Sequence, residues 1–288
     1  GALSLEQAVR VIYERSLHQG TTKGTGVMTA VGVAQSAIQR IIGEVGLGER
    51  IAVAGINSPR GVTLAGSASA MQKLEATLAD REVFHRRLPL DYAFHSPMMD
   101  PIQRALKQTL ASLQPGPEVL PYYSTVTGDR LQSAMLDADY CWRNIREPVK
   151  FEGALRKVAK DGFNLFVEIG PHAVLRNYVT DCLRTEEVEG RALTTMVRDD
   201  GGLDRIQAAF YQILMAGAPV DTKRSFPVPG RMANIPRYVW QHERYWLQAT
   251  SESLVDLNAE KAHPLLGYAA SSRELCWRNR LDVRSFPD

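Results

Sequence analysis

One side chain that could do chemistry is an arginine on an apolar helix face. Ser4 and Gln7 have the spacing of a capping box, which predicts the start of a helix, and Gly20 is placed to end it. At about 100° per residue, Arg15 falls at the edge of the apolar stripe, where a guanidinium cannot stay fully hydrated. Arg15 therefore either pairs with a nearby carboxylate or snorkels to water, or it binds an anion.

Two histidines follow segments whose apolar pattern predicts strands. His95 comes shortly after the strand that ends at Leu90, and His172 follows Gly170-Pro171 at another strand end, where α/β folds often bind ligands. A neutral imidazole beside a hydroxyl is a general base, but a lone histidine is commonly structural. The residues alone leave both interpretations of His95 open, and they make His172 a candidate pocket-lining residue.

A serine nucleophile is harder to find in this sequence. None of Ser58, Ser96 and Ser124 lies in a strand-to-helix turn with flanking glycines, the setting that presents a nucleophilic hydroxyl. An independent serine hydrolase is therefore a poorly supported interpretation.

The composition excludes several classes of function. The 288 residues are 44% hydrophobic and 23% charged, as in a soluble globular protein. The formal charge is +2 and the basic residues are scattered, so no nucleic-acid partner is expected. Cys141, Cys182 and Cys276 lack metal-ligand spacing and form no disulfide framework, which favours a reducing cytoplasm and no metal. No apolar run approaches the length that spans a bilayer, so no membrane partner is expected.

The elements that must position these side chains begin with a small sheet. Between residues 26 and 90 the apolar pattern gives strand, helix, strand, strand, helix and strand, with a turn at Ser58-Pro59-Arg60-Gly61. This order predicts a ferredoxin-like βαββαβ unit with its helices on one face. The predicted strands are 27–33, 51–57, 62–65 and 83–90.

The remaining pattern has the strand–stop–helix order of an α/β fold. It predicts a helix over 101–113, a strand at 122–126, a helix from Pro148 to 160, a strand at 165–169 and a helix over 174–185. We expect these parts to complete a sheet whose earlier strands precede residue 1. The helices at 4–20 and 174–185 would then expose their apolar faces in this chain.

The chain resembles the acyltransferase domain of modular and iterative type I polyketide synthases. Five stretches that occur in the family's order carry the resemblance: Gly-Ala-Leu-Ser-Leu-Glu at 1–6, Leu-Pro-Leu-Asp-Tyr-Ala-Phe-His-Ser-Pro at 88–97, Tyr-Tyr-Ser-Thr-Val-Thr-Gly at 122–128, Trp-Arg-Asn-Ile-Arg-Glu-Pro-Val at 142–149 and Glu-Ile-Gly-Pro-His at 168–172. Residues 235–246 look like the end of that family's linker, and His-Pro-Leu-Leu-Gly at 263–267 looks like the start of its dehydratase.

The resemblance implies an α/β fold in five parts. A partial α/β-hydrolase-like large subdomain (1–24 and 92–190) encloses the ferredoxin-like small subdomain (25–91), and a linker (191–261) leads to the start of a hot-dog dehydratase (262–288). The family's Gly-His-Ser-x-Gly nucleophile elbow does not occur in the sequence. We therefore expect a segment of a longer synthase that is inactive by itself.

The resemblance also implies a reaction and roles. The family moves a malonyl-type unit from coenzyme A to the phosphopantetheine thiol of an acyl carrier protein through an acyl-serine. By this resemblance His95 is the general base, the main-chain carbonyl of Asn144 orients its ring, and Arg15 binds the malonyl carboxylate. Family members with His-Ala-Phe-His use malonyl and those with Tyr-Ala-Ser-His use methylmalonyl. Tyr92 and Phe94 give Tyr-Ala-Phe-His here, which favours malonyl, unless Phe94 is only a core aromatic.

The partners implied by the resemblance are an acyl carrier protein and the ketosynthase and dehydratase domains of the same synthase, which is expected to be homodimeric. No cofactor bound by this chain is expected, since malonyl-CoA is the substrate and phosphopantetheine belongs to the carrier protein. An alternative of another class is a non-catalytic segment that docks on neighbouring domains.

Overall fold

The computed structural model describes residues 1–228, 230–231, 233–242, 263, 265–269, 275 and 277–279. The chain divides into two compact units, Gly1–Pro227 and Val228–Asp288. Every candidate residue lies in the first unit. The predicted dehydratase start and the end of the predicted linker fall mostly outside the described residues.

The first unit alternates helices with short strands. Its helices are α1 (Leu5–Gly20), α2 (Gln35–Glu44), α3 (Ala68–Asp80), α4 (Gln103–Thr109), α5 (Ala138–Arg146), α6 (Phe151–Lys160), α7 (Arg176–Thr185), α8 (Leu203–Met215) and α9 (Thr222–Ser225), with 3-10 turns at Pro97–Ile102 and Ser133–Met135. Its strands are β1 (Val27–Val31), β2 (Ile51–Ser58), β3 (Gly61–Gly66), β4 (His85–Arg87), β5 (Tyr122–Ser124), β6 (Asp129–Leu131), β7 (Val149–Lys150), β8 (Leu165–Glu168) and β9 (Arg191–Thr194).

The second unit contains, in its described part, the antiparallel pair β10 (Tyr268–Ala269) and β11 (Trp277–Arg278). None of the described helices of the chain combines the length and the apolar character needed to cross a bilayer.

The predicted βαββαβ order is confirmed in the small sheet. Its strands lie in the order β4-β1-β3-β2-β7, and the first four are antiparallel neighbours. The helices α2 and α3 pack on it because their apolar residues recur at helical spacing, as the sequence predicts. The core of this part is fully enclosed and consists of Ile38, Leu64, Met71, Leu74 and Leu78 together with their neighbours.

The predicted start of a helix at Pro148 is wrong. Val149 and Lys150 instead form β7, which pairs in parallel with Gly55 and Ile56 of β2, and α6 begins at Phe151. A pairing of only two residues leaves no periodic signal in a sequence. This fifth strand ties the end of α5 to the small sheet.

The predicted exposure of α1 is confirmed. The helix starts with the Ser4–Gln7 capping box, but it contains no buried residue, and Leu5 and Ile12 are 76% and 64% exposed. For α7 the same prediction is wrong, because Val179 and Leu183 are buried against neighbours that include Leu155 of α6. The exposed residues Val174 and Leu175 lie just before α7 begins.

Candidate active site

His95 lies in a tight turn that the small sheet and the following 3-10 turn hold in place. Its backbone has a φ of 59°, in the left-handed region that non-glycine residues rarely adopt. Ala93 and Ser96, on either side of this turn, are buried: Ala93 packs on the small sheet, and the Ser96 hydroxyl donates to the Ala93 carbonyl at 2.6 Å and accepts from the Met98 amide at 3.2 Å. The surrounding packing thus enforces a strained backbone at the candidate base.

The end of α5 fixes the orientation of the His95 ring. The Nδ1 atom of His95 lies 2.8 Å from the carbonyl oxygen of Glu147, and the backbone N–H of His95 donates to the carbonyl of Ile145 at 3.1 Å. A carbonyl can only accept, so Nδ1 carries the proton and Nε2 keeps a free lone pair. This is the tautomer that a general base needs.

The predicted role of the Asn144 carbonyl is wrong, because the carbonyl that holds the ring belongs to Glu147. The helix α5 ends at Arg146, and Glu147 is extended with φ −80° and ψ 155°, so its carbonyl turns away from the helix. Pro148, which disfavours helical conformation in the residue before it, was the sequence signal that could have located this end. The Glu147 carboxylate takes no part, since it pairs with Arg143 at 2.7 Å.

Burial keeps the imidazole neutral. Removal of His95 from water lowers its pKa, the Glu147 carbonyl acts in the opposite direction, and the positive charge of Arg15 lowers the pKa further. The end of α5 also links His95 to Arg15, which is 80 residues away in sequence: the His95 amide donates to Ile145, and the side chain of the preceding residue, Asn144, accepts from Arg15.

Arg15 is held by neutral amide groups. Its Nη1 donates to Oδ1 of Asn144 at 2.5 Å, and its Nε donates to Oε1 of Gln19 at 3.2 Å. Of the ion pairs formed within the described residues, none includes Arg15. Burial lowers the pKa of this guanidinium, which remains a cation at neutral pH. The interpretation that Arg15 pairs with a carboxylate of this chain is not supported in the described part.

A cavity of about 270 Å³ opens beside this guanidinium. Its lining is mostly apolar, and its polar side chains are those of Arg15, Asn144, Cys141, Tyr122 and Tyr140; His95 is not one of its lining residues. Charges in an apolar cavity are weakly screened, so an anion that binds this cation gains more electrostatic free energy there than it would in water.

Tyr92 and Phe94 lie next to the base in sequence and stack on each other. Their ring centroids are 4.8 Å apart and the rings are inclined by 12°. Phe94 also packs against two core clusters. His172 lies in the turn after β8, and within the described residues no hydrogen bond or ion pair joins it to His95 or Arg15. The structure therefore links His95 and Arg15 through the end of α5, and Tyr92 and Phe94 precede the base in sequence.

Sequence reasoning missed Gln19 and the Glu147 carbonyl as parts of this arrangement. The spacing of four residues between Arg15 and Gln19 on α1 was the available signal for the first.

The alternative nucleophiles and a metal site find no support. Ser58, Ser96 and Ser124 are 3%, 2% and 0% exposed, so their hydroxyls are closed to a substrate. In the described part of the chain, no three His, Cys, Asp or Glu side chains are grouped as metal ligands would be.

Comparison with known proteins shows the family to which the chain belongs. Residues 1–220 match the acyl transferase domain family. The polyketide synthases GfsB and GfsE of Streptomyces halstedii are each 34% identical to the chain, over 100% and 92% of it. The chain spans only 5% and 7% of those two proteins.

Solved structures share the fold. The acyltransferase domain from module 8 of the salinomycin polyketide synthase matches with a TM-score of 0.74 and 32% identity, over 77% of this chain and 52% of that one. A malonyl CoA-acyl carrier protein transacylase from Clostridium perfringens matches with a TM-score of 0.65 at 20% identity, over 75% of this chain and 66% of that one. The second likeness is one of fold.

Proposed function

Because this chain belongs to the acyl transferase domain family of polyketide synthases, we propose that it supplies the base and the carboxylate-binding cation of a malonyl-transfer site. In this reaction a malonyl unit moves from coenzyme A to a serine and then to the phosphopantetheine thiol of an acyl carrier protein. The observation that carries the proposal is the oriented imidazole of His95 at the end of α5, where Asn144 holds Arg15, a half-buried guanidinium that pairs with no carboxylate in the part of the chain that the structure describes.

His95 would act at both halves of the reaction. Its free Nε2 takes the proton of the serine hydroxyl as the oxygen attacks the thioester carbonyl, and the proton then passes to the leaving thiolate of coenzyme A. In the second half Nε2 takes the proton of the carrier thiol and returns it to the serine oxygen. Since the sequence has no nucleophile elbow, the proposal assigns this serine to another part of the synthase.

Arg15 would select the acyl group by its free carboxylate. A guanidinium offers paired N–H donors that match a carboxylate, and two of the five donors of Arg15 are already engaged by amides. An acetyl group leaves the remaining donors unpaired in a partly dry cavity, and this is unfavourable. The positive charge has a second effect, since it favours the neutral form of His95 that a base requires.

The stacked rings of Tyr92 and Phe94 support malonyl over methylmalonyl. In this proposal the Phe94 ring faces the acyl group, and its packing against Tyr92 and two core clusters keeps it from moving aside to admit an α-methyl group. Competition between malonyl-CoA and methylmalonyl-CoA, scored by the acyl group on the enzyme, tests this part of the proposal.

Acyl-enzyme formation in the intact synthase that carries this sequence tests the reaction. We expect malonyl-CoA to label the wild type, and His95→Ala to slow labelling by about 10²- to 10⁴-fold. His85→Ala is a matched control, because His85 also places Nδ1 near a backbone carbonyl, that of Val83 at 2.9 Å, but lies on β4. Absence of acyl-enzyme in the wild type would instead support the non-catalytic docking role.

A further inference from the structure

The two side chains that hold Arg15 are neutral amides, whereas carboxylates hold other arginines of this fold. The first is Gln19, four residues further along α1, and the second is Asn144 from α5. Elsewhere the same fold places carboxylates at this spacing: Arg143 pairs with Glu147 and Arg156 pairs with Glu152, each four residues apart. A glutamate at position 19 could make the same contact with Arg15, although the last turn of α1 favours a neutral or basic side chain over an acidic one.

We propose that Asn144 and Gln19 are positioning residues that hold the Arg15 guanidinium in place without neutralising it, and thereby set the preference for acyl groups that carry a carboxylate. This inference rests on the proposed function, in which Arg15 contacts that carboxylate. Neither amide contacts the acyl group in this account, and both act through Arg15.

The geometry explains why amides suit this task. The Nε and one Nη1 hydrogen of Arg15 are directed to two separate acceptors, which restricts rotation about the long side chain. The Nη2 donors have no hydrogen-bond acceptor among the described residues. A carboxylate at position 144 or 19 would hold the side chain as firmly, but it would compete with an incoming anion for the same charge.

The apolar surroundings of Arg15 and Asn144 strengthen the competition between an added carboxylate and an incoming anion. Asn144 and Arg15 line the same apolar cavity, where charges are poorly screened by water. In the described part of the chain no carboxylate pairs with Arg15, so the net charge offered to a ligand is that of the guanidinium. A single added carboxylate would cancel that charge.

Isosteric amide-to-acid substitutions in the intact synthase test the inference. Asn144→Asp and Gln19→Glu keep the side-chain shape and add a negative charge. We expect each to lower the ratio of malonyl to acetyl kcat/KM by about tenfold or more, mainly through a higher KM for malonyl-CoA. Asn177→Asp is the matched control, since it makes the same change on an exposed residue of α7 and should leave the ratio unchanged.

Two outcomes distinguish a failure of the proposed function from a failure of this inference. If Arg15→Ala leaves the ratio unchanged, the contact of Arg15 with a carboxylate in the proposed function is wrong. If Arg15→Ala lowers the ratio but Asn144→Asp and Gln19→Glu do not, only the present inference is wrong. Acetyl transfer by each variant reports whether the site has folded, and Asn144→Ser, which retains an acceptor oxygen, should keep more of the malonyl preference than Asn144→Asp.

Discussion

Replacement of Arg15 by alanine is expected to remove the preference for acyl groups that carry a carboxylate. In the structure this guanidinium is partly buried, is held by Asn144 and Gln19, and borders an apolar cavity. A hydrogen bond to a charged group in such a place contributes about 1.5–3 kcal/mol. At about 1.4 kcal/mol per factor of ten, the ratio of malonyl to acetyl kcat/KM should fall by roughly 10- to 150-fold.

The assay is a competition between malonyl-CoA and acetyl-CoA in the intact synthase, with the acyl-enzyme species separated by mass. Arg10→Ala is the matched control, because Arg10 lies on the same helix and also donates to neutral oxygens, those of Ser112 and Thr109, but on the exposed side. A ratio that stays at the wild-type value in Arg15→Ala, with acyl-enzyme still forming, would refute the assignment of Arg15. An equal fall in Arg10→Ala would show that the effect comes from α1 as a whole.

Three further predictions concern the base and its turn. Acyl transfer should decline at a lower pH than an ordinary histidine base would give, because the pKa of His95 is lowered by burial and by Arg15 and the base is lost only when the imidazole gains a proton. In Arg15→Ala the decline should begin at a higher pH, and a profile identical to the wild type would contradict this. Ser96→Ala should lower the free energy of unfolding by about 1–3 kcal/mol and slow acyl transfer, because the Ala93 carbonyl and the Met98 amide both lose their hydrogen-bond partner. Urea titration and transfer rates would measure the two effects. Gly26→Ala should destabilise the fold by about 1–3 kcal/mol, since a Cβ there would lie 2.7 Å from the Cβ of Ala93. Gly43→Ala is the control, because a Cβ at that position meets nothing within 4 Å and should not destabilise the fold. Equal urea midpoints for the two variants would contradict the packing argument.

Periodic and local signals in the sequence predicted most of the framework but not the contacts between its parts. The capping box of α1 and the βαββαβ order follow from residue spacing, which depends only on the chain's own neighbours. The pairings of β7 with β2 and of β9 with β8 involve two and four residues, too few to leave a period, and they join segments far apart in sequence.

The same distinction holds within the candidate site. The motif around His95 identified the candidate base, but the orienting carbonyl was placed at Asn144 when it belongs to Glu147. Three residues make nearly one helical turn, so the error depends on where α5 ends, which is a property of the folded chain. The side chain of Asn144, which was given no role in the sequence interpretation, turned out to contact Arg15.

The small sheet positions both the His95 imidazole and the Glu147 carbonyl that orients it. His95 follows the segment that leaves β4, and Glu147 lies two residues before β7, which pairs with β2 of the same sheet. The backbone hydrogen bond from His95 to Ile145 then closes the arrangement between the two segments. Because the imidazole and its acceptor are attached to one rigid layer, the 2.8 Å contact between them does not depend on α1. The orientation of the base and the placement of the cation on α1 are therefore separable, and changes at Arg15 should alter selectivity and pH dependence while the tautomer of His95 stays fixed.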